Sequence, residues 1–60
     1  KPDPLAFQHV VRASGRRPQE LLFIDDYQPN LVGASKVGLR TLQFHTPHQL
    51  RQALQMLGYL

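Results

Sequence analysis

The chain contains no cysteine. Neither a disulfide nor a thiolate zinc site can staple it, so packing alone must hold it. Long apolar runs are missing as well. The longest, Leu21-Leu22-Phe23-Ile24, has four residues, too few for a transmembrane helix or the apolar heart of a signal peptide. No membrane association is expected, and a cytoplasmic location is the default. Length is short too. The chain has 60 residues, one domain at most, and domains of this size bury only about 60% of their unfolded surface.

Acids are scarce. Asp3, Glu20, Asp25 and Asp26 stand against seven lysines and arginines, for a net charge of +3. Such a balance raises nucleic acid as a partner. The cations are dispersed, however. Only Arg12, Arg16 and Arg17 approach a cluster, and no basic run is interleaved with aromatics. They read as solvated surface, and no nucleic-acid partner is expected.

Against this background the adjacent pair Asp25-Asp26 stands out. It follows the four-residue apolar run, at the mouth of a strand. Neighbouring carboxylates repel and lose hydration there, which calls for a cation, either a metal ion or a lysine. Magnesium suits the pair, because it accepts one or two carboxylates and keeps several waters. Side chains alternate along a strand. If the strand persists through Asp26, the pair divides into one direct ligand and one outer or lysine-paired acid. The competing reading is two solvated acids opening a helix, where the dipole favours them.

Lys1 is a candidate phosphate or carboxylate partner. Pro2-Asp3-Pro4 stiffens the chain directly after it. Asn30, in the first turn of the following helix, is placed to orient the Asp25 side chain or a metal-bound water. A local bond to the helix end is the plainer alternative. His9, His45 and His48 form no ligand pattern and read as surface. Tyr27 sits at the site entrance or on a surface turn, and Phe7, Phe23 and Phe44 are expected in the core.

Punctuation in the sequence is clear. Asp3 caps a helix that starts at Pro4, carries Phe7, Val10, Val11 and Ser14 on one face, and stops at Gly15. Arg16 to Glu20 is a loop. Leu21 to Asp25 reads as a strand covered on both faces. A helix over roughly Pro29 to Val37 presents Leu31, Ala34 and Val37, and Gly38 ends it. Arg40 to Phe44 is a second strand. Thr46-Pro47-His48-Gln49 is a capping box, followed by Leu50, Ala53, Leu54 and Leu57 at helical spacing and a stop at Gly58. The order is helix, strand, helix, strand, helix. The connection between the strands is long enough for a parallel crossover. The fold class expected is α/β, a partial Rossmann-like fold with two parallel strands and ligands gathering beyond their carboxyl ends. Two parallel strands look like one edge of a larger sheet, and an exposed edge favours association with further chain.

Lys1-Pro2-Asp3-Pro4, Phe7, Gly15, Pro18, Glu20, Phe23-Ile24-Asp25-Asp26, Asn30, Ala34 and Gly38 together resemble the C-terminal part of the haloacid dehalogenase superfamily. They are most like its subfamily IA, variant 3, whose acidic motif is DD or ED. The resemblance covers about residues 1 to 44. It implies a phosphate-contacting motif III lysine at Lys1, a magnesium ligand at Asp26, and an outer-shell acid at Asp25. It also implies a phosphorylated small-molecule substrate, hydrolysed through a phospho-aspartate. Tyr27 departs from the small residue that often follows the acidic pair. A larger departure is that no Asp-x-Asp is present, so this chain holds no nucleophile. The 60 residues read as the C-terminal part of a HAD core domain, inactive alone. Alternatives are a phosphomutase, a dehalogenase, or a non-catalytic segment that docks on the rest of such a fold. A receiver-type phosphoacceptor domain carries its acids before its lysine, the reverse of the order here.

Overall fold

The structure of the protein, a computed structural model, describes residues 3–60. It is mixed α/β, with helices α1 (Pro4–Ser14), α2 (Gln28–Lys36) and α3 (Pro47–Met56), and strands β1 (Leu22–Asp25) and β2 (Arg40–Gln43). The strands run parallel, with Leu22 opposite Arg40, Phe23 opposite Thr41, Ile24 opposite Leu42, and Asp25 opposite Gln43. This is the expected partial Rossmann-like arrangement.

The helix ends lie where the side chains direct them. Asp3 Oδ1 accepts the Leu5 N–H at 3.0 Å, and Pro4 stands where no backbone donor is needed. Thr46 Oγ1 accepts the Gln49 N–H at 3.0 Å. Gln49 Oε1 in return accepts the Thr46 N–H at 3.4 Å, closing the capping box. Helix α2 begins at Gln28, one residue before the expected start, with Tyr27 as an N-cap whose side chain makes no capping bond. The stretch expected as loop, Arg16 to Glu20, contains a 3₁₀ turn at Pro18–Glu20. It is pinned by the Arg17 N–H donating to Glu20 Oε1 at 2.9 Å.

Pleating sorts the two sheet faces. Phe23, Asp25, Thr41 and Gln43 share one face, and Leu22, Ile24, Arg40 and Leu42 share the other. The first face meets α1, where the Phe7 and Phe23 rings touch edge-to-face at 5.1 Å, and α2, whose Leu31 and Ser35 line a shallow pocket with Thr41 and Gln43. Beside the second face runs the segment after α3, where Arg40 Nη1 donates to the Tyr59 hydroxyl at 3.0 Å.

The core is small. Among the described residues the buried apolar side chains are Leu31, Ala34 and Leu39. Phe7, Phe23 and Phe44, expected in the core, are half-buried, and Val10 of the apolar face of α1 is 54% exposed. Ile24 is 39% exposed, so β1 is not sealed on both faces. The physical reason is width. Two strands cannot shelter the helices laid over them, and one edge of β1 has no neighbour among the described residues. No helix among those residues is long and apolar enough to cross a membrane.

Gly38 has a backbone φ of +99°, and a Cβ there would meet Pro18 Cβ at 3.2 Å. The backbone therefore favours glycine, and a Cβ would also crowd the Pro18 ring. Gly38→Ala is expected to cost about 1–3 kcal/mol. Thermal unfolding should show a melting midpoint lower by at least about 4 °C, and an unchanged midpoint would contradict this.

Candidate functional site

The acidic pair lies where β1 ends. The strand stops at Asp25, and Asp26 falls in a bend before α2. The alternation that would set the two carboxylates on opposite faces therefore ends at Asp25, and the turn, not the pleat, aims Asp26.

Asp25 is half-buried and held at both oxygens. The Tyr27 backbone N–H donates to Oδ1 at 3.0 Å, and Asn30 Nδ2 donates to Oδ2 at 2.9 Å. Asn30 reaches it from the first turn of α2, so the amide orients Asp25, one of the two roles expected for it. Asp26 is exposed, directly beyond the carboxyl end of the strand. The turn's main chain is tied to β2. The Asp25 carbonyl accepts the Phe44 N–H at 2.8 Å, and the Asp26 carbonyl accepts from Gln43 Nε2 at 3.2 Å.

These bonds stabilise the charged form of Asp25. Its carboxyl lies below the ordinary 3.8, chiefly through the Tyr27 N–H and next through the Asn30 amide, while partial burial pulls the other way. A folded-state value below the unfolded one gives stability that is full above the unfolded value. That stability is lost as pH falls through the folded one. Asn30→Ala is therefore expected to raise the Asp25 value toward the ordinary one, so that the acid-dependent loss becomes smaller and is complete at a higher pH. Carbon-detected NMR titration of the Asp25 carboxyl checks this, and an unmoved or lowered midpoint would refute it.

Lys1 lies outside the described residues. His45 and His48 are exposed, as expected of surface histidines. Two features escaped the sequence reading. One is the backbone N–H of Tyr27, the first donor to Asp25. The other is Gln43, a polar residue between Leu42 and Phe44 at a strand end. A polar side chain flanked by Leu42 and Phe44 at a strand end, next to the expected site, was the available signal.

Among the described residues no three His, Cys, Asp or Glu side chains gather to hold a metal ion. Asp25 and Asp26 are an all-oxygen, anionic donor set at one turn. That fits magnesium, which takes few carboxylates and keeps waters, and does not fit a soft metal.

No family model matches the chain. Curated proteins similar to it include acyl-CoA dehydrogenase family member 10 of Mus musculus, 33% identical over 60 residues that make up 98% of this chain and 6% of that protein. Another is enolase-phosphatase E1 of Sorangium cellulosum (strain So ce56), 38% identical over 48 residues, 80% of this chain and 21% of that protein. The chain thus spans a small part of the curated relatives it matches. The second likeness supports kinship with the HAD superfamily and nothing finer.

Proposed function

We propose that residues 1–60 are the C-terminal segment of the core domain of a magnesium-dependent HAD phosphatase acting on phosphomonoesters. The observation that carries this reading is the acidic turn. One carboxylate is locked by two donors at the end of a parallel strand, and its neighbour is exposed just beyond it. A locked acid and an open one suit a shared cation, with Asp26 as the direct ligand and Asp25 setting the local charge and turn geometry. Magnesium at this place supplies charge neutralisation for a transferring phosphoryl group.

Each of the site residues then has a task. Asp26 holds the cation, and Asp25 adds negative charge while its donors fix the turn. Asn30 orients Asp25 and favours its charged form. Lys1, by resemblance, contacts the substrate phosphate. The nucleophilic aspartate lies on another strand, outside these 60 residues. The open edge of β1 and the half-covered aromatics support this, because a neighbouring strand and its helices would complete both layers.

The test is hydrolysis of p-nitrophenyl phosphate with magnesium. The 60-residue chain alone is expected to be inactive, and the complete core domain that carries it active. Magnesium-dependent turnover by the chain alone, or its absence in the complete core, would overturn the proposal.

A further inference from the structure

Gln43 links three elements. It stands opposite Asp25 in the parallel register, so its side chain shares the Asp25 face of the sheet. Its Nε2 donates to the Asp26 main-chain carbonyl at 3.2 Å. Its own main-chain carbonyl accepts from Gln49 Nε2 at 3.0 Å. Gln49 Oε1 meanwhile accepts the His45 N–H at 3.0 Å, and the Gln49 N–H is bound by Thr46. A chain of hydrogen bonds thus runs from the first turn of α3, through the end of β2, to the acidic turn.

We propose that Gln43 is a positioning residue that sets where the Asp26 carboxylate emerges. The inference rests on reading Asp26 as the carboxylate that holds the cation. The last rung of the sheet ladder ends at the Asp25 carbonyl, bound by Phe44. Asp26 lies one residue further, in a bend with no ladder of its own. Nothing regular fixes its peptide plane, and a rotated plane swings the carboxylate away. The Gln43 amide supplies that missing rung. With both carbonyls of the pair tied to β2, the backbone of the turn has two fixed points, one on each aspartate. A ligand side chain needs such support, because an error of roughly 0.5 Å already loosens a site. The Gln49 link restrains the Gln43 backbone, so the capping box of α3 helps to hold the turn.

The experiment uses the complete core domain that carries this chain, with Mn2+ as a relaxation probe, displaced by Mg2+, and broadening read at the Asp26 amide by NMR. Gln43→Met keeps the length of the side chain and removes the donor. It is expected to weaken Mn2+ binding about three- to tenfold, somewhat less than loss of a group bonded directly to a ligand. The amide resonances of α1, which lies away from the acidic turn, should stay in place. A merely structural role for Gln43 would move both readings.

In the unmodified domain, the Gln43 side-chain amide protons should exchange with solvent more slowly than those of the exposed Gln52. If Gln43→Met does not fold, this exchange decides. Slow exchange sustains the clamp, and exchange matching that of Gln52 overturns it. Unchanged Mn2+ binding in a folded Gln43→Met also overturns the inference while leaving the magnesium reading intact. If the unmodified domain shows no broadening at Asp26, the magnesium reading fails and this inference fails with it.

Discussion

Replacing Leu31 with alanine is expected to bring the folded chain to the edge of unfolding. Leu31 is 6% exposed and Ala34, on the same face of α2, is fully buried; with Leu39 they are the buried apolar residues among those described. Removing a buried leucine to its Cβ costs about 2–5 kcal/mol, part from lost transfer energy and part from the cavity. Domains carry about 0.05–0.15 kcal/mol of stability per residue, so a chain this short has about 3–9 kcal/mol in total. The two ranges overlap. Few other contacts can absorb the loss, because Phe7 and Phe23 are already half-exposed. Circular dichroism on heating should show the melting midpoint lower by at least about 10 °C, or no transition at all. A drop below about 4 °C would mean that the stability resides elsewhere, and would refute the reading of Leu31 as a mainstay of the core. Val32, on the same helix but 43% exposed, is the comparison. Val32→Ala should move the midpoint far less.

The same smallness explains what was legible in the sequence. Helix α1 could be placed to the residue because Asp3, Pro4 and Gly15 act locally. A cap, a proline and a left-handed stop need no distant partner. Thr46 and Gln49 did the same for α3. The β1 run was legible from its apolar density, β2 from its place between the Gly38 stop and the Thr46 cap, and their parallel pairing from the length of the connection. The depth of the core was not legible. Phe7, Phe23 and Phe44 are apolar enough for a core, but their burial depends on layers that two strands do not provide.

The site divides along the same line. The Asp25-Asp26 pair and Asn30 lie within six residues of each other in sequence and one turn in space, so the local pattern was enough to single them out. Gln43 could not be placed this way. It acts on a carbonyl 17 residues away, and only the parallel register brings it there. The backbone donor on Tyr27 was hidden for another reason, since every residue but proline has such a group and its identity carries no signal.

The two aspartates should respond to amide substitution in opposite ways, which is the sharpest test of their division of labour. Asp26→Asn is expected to abolish magnesium-dependent turnover in the complete core domain, by at least about a hundredfold, while leaving the fold intact. Asp26 is exposed, and an amide of the same shape there changes stability by no more than about 0.5 kcal/mol. What it removes is the negative charge that holds the cation. Asp25→Asn should do more damage to the fold. Its two oxygens accept from Tyr27 and Asn30, and an amide can accept at one position only. The other position would set an N–H2 group against a donor, a clash that leaves at least one polar group unpaired. Turnover with p-nitrophenyl phosphate over a magnesium series, together with melting midpoints for both variants, reads the contrast. Asp26→Asn should lose activity with its midpoint unmoved, and Asp25→Asn should lower the midpoint. An Asp26→Asn protein that keeps turnover within about threefold of the unmodified one would remove Asp26 from the cation. The exposed carboxylate would then be a solvated acid at the start of α2, favoured there by the helix dipole alone.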